Sequence, residues 1–97
     1  MKTLLITGAN RGIGLEFCKQ YVAAGWRVLA CCRDPGKADA LNKLAARYPD
    51  LIKLHALDIT DHVQIEQLAR TLADEAIDLL INNAGIYPAA DKRGFGQ

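Results

Sequence analysis

Apolar residues recur along this chain in two alternating rhythms. Lys2-Thr3-Leu4-Leu5-Ile6 is short, apolar and β-branched at its end, which reads as a strand. Over about 12–24, Ile13, Phe17 and Tyr21, flanked by Cys18 and Val22, fall at helical spacing and predict one apolar stripe. Gly25 is placed to stop that helix. Arg27-Val28-Leu29-Ala30-Cys31-Cys32 reads as a second strand, apolar almost throughout, as strands covered on both faces are. Asp34 as cap and Pro35 at the first helical position predict a second helix over about 36–48, with Leu41, Leu44, Ala45 and Tyr48 on one face. Pro49-Asp50 punctuates, and a third strand follows over 51–57. Asp61 with Gln64 three residues on resembles a capping box for a third helix over about 62–75. Its stripe is Ile65, Leu68, Ala69, Leu72 and Ala76. A fourth strand over 77–81 is stopped by Asn82-Asn83-Ala84-Gly85, and residues 86–97 show no period.

Strand alternating with helix is the pattern of a parallel sheet with crossover helices. The fold class is therefore α/β. We expect a Rossmann-type, doubly wound parallel sheet of strand order 3-2-1-4, in three layers α/β/α and partial within these 97 residues. Ligand belongs outside the carboxyl ends of strands one and four, where the order reverses. The length allows one domain at most.

One of those ends carries Thr7-Gly8-Ala9-Asn10-Arg11-Gly12-Ile13-Gly14, between a strand and a helix. That context separates a phosphate-binding turn from a chance cluster of glycines. Gly8 allows a tight turn off the strand, Gly12 a close backbone approach to a pyrophosphate, and Gly14 tight packing of the helix. The helix start offers free N–H groups and a partial positive charge.

Composition narrows the classes. Half the residues are apolar and a quarter charged, and the net charge is +1 with no basic patch, so nucleic acid is not the expected partner. No apolar run approaches membrane-spanning length, and no membrane partner is expected. Met1–Ile6 imitates a signal peptide, but its apolar stretch stops after Ile6. Cys18, Cys31 and Cys32 make no disulfide framework; buried thiols in a reducing cytoplasm are expected. His55 and His62 have no ligand partners at metal spacing, so no metal site is expected. Tyr21 and Tyr48 fall on helix stripes and belong to the core. The chain contains no Ser, which excludes Ser-His-Asp catalysis.

The spacing G-x-x-x-G-x-G, led by Thr7 and closed by Gly12-Ile13-Gly14, resembles the cofactor motif of the short-chain dehydrogenases/reductases. The resemblance covers about 3–85. It implies a cofactor seat of Gly8, Asn10, Arg11, Gly12, Ile13 and Gly14. It implies that Asp58, in Leu57-Asp58-Ile59-Thr60, accepts a hydrogen bond from the adenine amino group, with Ile59 beside it. In Asn82-Asn83-Ala84-Gly85 it implies one Asn bracing the neighbouring strands and an Asn-Ala-Gly backbone lying against the cofactor ribose. Where NAD-binding members carry an acidic residue this chain has Cys32, with Arg33 next. A guanidinium there can grip a 2′-phosphate, and Arg11 adds a second charge, so NADP(H) is favoured over NAD(H). The simpler alternative for Arg33 is a surface ion pair with Asp34. Asp34 itself reads as a helix cap rather than a ribose ligand.

The family's catalytic Ser and Tyr-x-x-x-Lys pair cannot be placed, so no catalytic residue is assigned. The chain is thus expected to be the N-terminal cofactor-binding part of an NADP(H)-dependent oxidoreductase, truncated after strand four and inactive by itself. The whole protein would move hydride between nicotinamide and a small carbonyl or alcohol substrate. Cys-Arg-Asp-Pro and Gly-Phe-Gly look similar to the C-factor and sniffer-like carbonyl reductase branch. The alternative is a non-catalytic module that binds or senses a dinucleotide. In the whole fold strand four would be central; expressed alone, this chain would leave its outer edge unpaired and is expected to be marginal, to aggregate or to pair edge to edge. A cytoplasmic location and a homo-oligomer are expected for the protein.

Overall fold

The apolar strand that opens the chain becomes the inside of a sheet. A computed structural model describes residues 1–83. Ala84, Gly85 and the tail after them lie outside the described residues. β1 (Thr3–Thr7), β2 (Arg27–Cys32), β3 (Ile52–Ala56) and β4 (Leu79–Asn82) form one parallel sheet in the order β3-β2-β1-β4. The helices α1 (Gly12–Ala23), α2 (Asp39–Arg47) and α3 (His62–Thr71) make the crossovers. The doubly wound α/β fold expected from the alternation is the fold observed.

Strand alternation divides the apolar residues between two faces. Leu4, Ile6, Val28, Ala30, Cys32 and Ile52 meet Cys18 and Val22 of α1 and Leu41 and Leu44 of α2 in one buried core. The opposite face carries Leu5, Leu29, Cys31, Leu80 and His55, which share rungs of the ladder. His55 and Ala56 border a small groove with Gln64, Gln67, Leu68 and Thr71, which places α3 on that side. These are the three layers. The second face is thinly covered: Leu29 and Cys31 are buried, but Leu80 is 60% exposed.

The end of α1 follows the glycine signal closely. Gly25 has φ +88, Trp26 N donates to Tyr21 O and Gly25 N donates to Val22 O. This is a Schellman motif, and its usual apolar contact is present as the Tyr21–Trp26 pair, edge to face at 4.9 Å.

Several expectations need correction. The stripe of α1 that buries is Gly14, Cys18 and Val22, while Phe17 and Tyr21 pack half-buried beside it. Ile13, on the first turn of α1, is 63% exposed. The second helix does not start at Gly36. Pro35–Lys37 makes a single 3₁₀ turn, Ala38 at φ −89 and ψ 71 breaks the path, and α2 begins at Asp39. Asn42 Nδ2 holds the break by donating to Pro35 O at 2.7 Å and Ala38 O at 3.0 Å. Asp34 therefore caps nothing with its side chain.

Helix α3 stops at Thr71, four residues short, where Ala73 and Glu75 turn back onto Arg70 and Leu72. None of its residues is fully buried: Leu68 and Leu72 are half-buried, and Ile65, Ala69 and Ala76 are exposed. Glu75, freed from the helix, pairs with Arg27. β4 begins at Leu79 because Asp78 Oδ2 accepts from Thr3 N at 2.8 Å and Asp78 N donates to Thr3 O at 2.9 Å. The strand-three bounds differ by one residue at each end, where Leu51 and Leu57 still bond to β2. Among the described residues no helix is long and apolar enough to cross a membrane.

Candidate functional site

The glycine turn is built by three different physical needs. Gly8 at φ +64 and Gly12 at φ +59 occupy the left-handed region, which costs any other L-residue about 1–2 kcal/mol. Gly14 is helical, and its constraint is space. A Cβ there would lie 2.0 Å from Gly8 O and 2.7 Å from Asn83 Nδ2. The start of α1 is thus pressed against its own turn. A Cβ on Gly12 would meet nothing within 4 Å. That open approach suits a ligand lying against the backbone.

Two neighbours hold the turn in place. Ala9 N donates to Cys31 O at 3.0 Å, tying the turn to the end of β2. Asn83 Nδ2 donates to Gly8 O at 3.0 Å, tying it to the end of β4. One rung earlier, Thr7 Oγ1 donates to Asn82 Oδ1 at 2.9 Å. Both asparagines therefore brace, where the sequence pattern had implied one.

The first turn of α1 is left without a side-chain cap. Arg11 holds the N-cap position at φ −163 and offers no acceptor, and no acidic side chain stands in that turn. The first helical bond is Leu15 N to Arg11 O. The N–H groups of Gly12, Ile13 and Gly14 precede it, so they have no partner within the helix. They suit an anion better than a second cap.

Beside this turn, over the carboxyl ends of β1, β2 and β3, lies a cleft of about 570 Å³. Gly8, Asn10, Arg11, Arg33, Asp58 and Ile59, all expected from the sequence, line it. Cys32, Asp34, Lys37, Leu57 and Thr60 line it too. Lys37 was missed, because only the 3₁₀ turn brings it back over the end of β2. Gly12, Ile13, Gly14, Asn82 and Asn83 are not in its wall. The cleft thus occupies the β1–β3 half of the site, and the two asparagines mark the switch point between β1 and β4.

Its charges are arranged unevenly. Asp34 Oδ2 pairs with Lys37 Nζ at 3.9 Å, and not with Arg33. Among the described residues Arg11 and Arg33 make no ion pair, so two guanidinium groups of the cleft keep their charge unpaired. Asp58 Oδ1 accepts from Thr60 N at 2.9 Å and Thr60 Oγ1 at 2.7 Å. These bonds, helped by the charge of Arg33, hold the Asp58 carboxyl below its usual range. The carboxylate is therefore ionised and oriented at neutral pH, an acceptor suited to an amino group. The expected capping box forms only in part. Asp61 Oδ1 accepts from Val63 N and Gln64 N, but Gln64 Oε1 accepts from Asp58 N at 2.8 Å instead of reaching back to Asp61. Among the described residues no group of three His, Cys, Asp or Glu is placed to hold a metal.

The start of α1 carries no side-chain cap and open space at Gly12, and beside it two guanidinium groups share the cleft with an ordered carboxylate. The chain is 36% identical over 90 residues to salutaridine reductase from Papaver bracteatum, covering 89% of this chain and 29% of that protein. It is 38% identical over 98 residues to galactitol 2-dehydrogenase from Agrobacterium fabrum, covering 99% of this chain and 37% of that one. Its fold superposes on a carbonyl reductase from Pseudomonas aeruginosa in complex with NADP at a TM-score of 0.80 and 33% identity, over 84% of this chain and 37% of that one. The chain spans about a third of the length of these relatives. The family model for short chain dehydrogenases matches residues 2–95, and the chain belongs to that family of oxidoreductases.

Proposed function

We propose that this chain is the NADP(H)-binding part of an oxidoreductase that moves hydride between nicotinamide and a small carbonyl or alcohol substrate. One observation carries the choice of NADP(H). Asp34 is drawn to Lys37, which leaves Arg33 and Arg11 unpaired in a single cleft. Guanidinium groups without an ion pair can take up a 2′-phosphate, which presents charged oxygens in bidentate geometry. Cys32 stands where a carboxylate would otherwise hold a ribose hydroxyl. The similar carbonyl reductase seen with NADP supports the same reading.

In this reading the free N–H groups at the start of α1 bind the pyrophosphate, and Gly12 lets it approach. Asp58 accepts from the adenine amino group, and Ile59 lies against the ring. Asn82 and Asn83 hold β1 and its turn to β4, and the resemblance assigns the ribose contact to the Asn-Ala-Gly backbone, of which Ala84 and Gly85 lie outside the described residues. The bound nicotinamide supplies or accepts the hydride. The residues of this chain bind and orient; none is assigned to proton transfer. Expressed alone, this chain is proposed to be marginal, to aggregate or to pair edge to edge, since β4 pairs only with β1 among the described residues.

The test compares NADPH and NADH affinities of the complete protein before and after Arg33→Ala. Loss of a charged hydrogen-bond pair weakens NADPH about tenfold or more. NADH affinity stays within about twofold, since no 2′-phosphate is there to lose. Equal losses for both cofactors would sink the assignment.

A further inference from the structure

We infer that Gln64 is a positioning residue for base recognition: through its bond to the Asp58 backbone it sets the carboxylate that reads the adenine amino group. The inference rests on the nucleotide reading above and names a residue outside the cleft wall. Gln64 does not line the cleft, but Asp58, Ile59 and Thr60 do.

The ladder between β2 and β3 ends with Leu57 N donating to Cys32 O at 2.9 Å. Asp58 is the first residue past it, so its N–H has no strand partner. Gln64 Oε1 supplies one at 2.8 Å. Gln64 is itself fixed, because its N–H donates to Asp61 Oδ1 at 3.2 Å. Asp61 N in turn donates to Asp58 O at 2.9 Å. These three bonds close a ring from Asp58 through Gln64 and Asp61 back to Asp58. Inside it, Thr60 holds Asp58 Oδ1 through two bonds, and among the described residues Oδ2 takes none. The ring fixes the backbone, Thr60 fixes the side chain, and one carboxylate oxygen is left to accept.

An ordinary capping box would have sent the Gln64 side chain back to the Asp61 N–H. Here that N–H is already used by Asp58 O, so the amide is free to reach Asp58. The cap of α3 is thereby converted into a brace for the cleft. The half-buried Gln64 side chain is spent on a residue that the cleft exposes to ligand, which a purely structural cap would not require.

The experiment measures, by fluorescence titration of the complete protein, the dissociation constants of NADPH, NADH and the hypoxanthine analogue of NADPH. That analogue lacks the exocyclic amino group. Gln64→Met keeps the volume and loses the acceptor. It is expected to weaken NADPH about three- to tenfold and to move the analogue by less than about twofold, so that base discrimination collapses. The ratio of NADPH to NADH affinity stays unchanged, because Arg33 is untouched. Gln64→Glu restores an acceptor and should restore discrimination; Gln64→Asn, one methylene short, should not. Equal weakening of NADPH and the analogue, or discrimination unaltered in Gln64→Met, overturns the role of Gln64 alone. Failure of the unsubstituted protein to bind any of the three overturns the nucleotide reading, and this one with it.

Discussion

The side-chain amide of Asn83 donates to the carbonyl of Gly8 across 3.0 Å, joining two residues 75 positions apart at the end of adjacent strands. The bond is half of a pair of constraints on one small turn. The same Asn83 nitrogen would lie 2.7 Å from a Cβ on Gly14, and Gly8 O would lie 2.0 Å from it. The asparagine, the turn carbonyl and the helix start thus share a contact that leaves no room for a methyl group. What looks in the sequence like three separate glycine and asparagine signals is one packed unit.

Replacing Asn83 by Ala should test that unit from the strand side. Asn83 is only 4% exposed, so the loss leaves Gly8 O without its partner in a largely dry setting. The cost is about 1–3 kcal/mol. Thermal melting should show it, and cofactor affinity should fall with it, since the turn loses its anchor to β4. Unchanged melting would mean that water or a neighbour replaces the amide at no cost.

Gly12 and Gly14 should separate by mechanism. Gly14→Ala drives a Cβ into backbone that cannot yield, so it should cost about 3 kcal/mol or more and abolish cofactor binding together with stability. Gly12→Ala meets no atom and pays only for its positive φ, about 1–2 kcal/mol. Paired melting curves and NADPH titrations of the two variants would show it. Gly12→Ala should weaken binding by more than its loss of stability explains, because the methyl group fills the approach left for a phosphate.

The buried thiols make a prediction about alkaline pH. Burial pushes Cys18 and Cys31 up to about 12 from an ordinary 9.0. For Cys31 the neighbouring thiols of Cys32 and Cys18 add to the rise. Burial raises Cys32 as well, against a backbone hydrogen bond that lowers it. A thiol carries charge only when deprotonated, so the folded chain keeps protons that the unfolded chain releases. The thiol contribution is therefore flat below about pH 8 and turns destabilising between about 9 and 12. It can reach about 1.4 kcal/mol per pH unit for each fully buried thiol. Urea unfolding from pH 7 to 10 should show the downward bend, and Cys31→Val should make it shallower. An identical bend in the variant would assign the effect elsewhere.

Much of this molecule could be read without coordinates. The alternation of apolar runs and helical stripes predicts parallel strands with crossover helices, because a parallel strand needs a crossover; the order β3-β2-β1-β4 follows the Rossmann-type pattern. The glycine turn was legible from its place: Gly8, Gly12 and Gly14 stand between a strand end and a helix start, a context that separates a phosphate-binding turn from a chance cluster. Gly25 announced the end of α1 because a left-handed residue there has few alternatives.

What escaped the sequence was decided by competition among polar groups. Asp34 had Arg33, Lys37 and its own helix start within reach, and only the break at Ala38 settled the contest for Lys37. Gln64 had two backbone N–H groups to choose from, and the one beside it in the cap was already taken by Asp58 O. Asp78 reads as a strand residue until β1 arrives next to it and presents the Thr3 N–H. Periodicity records which side of an element is apolar, a property of neighbours along the chain. Which carboxylate meets which cation, and which amide meets which carbonyl, depends on residues brought together by the finished sheet, and the sequence order holds no distance between them.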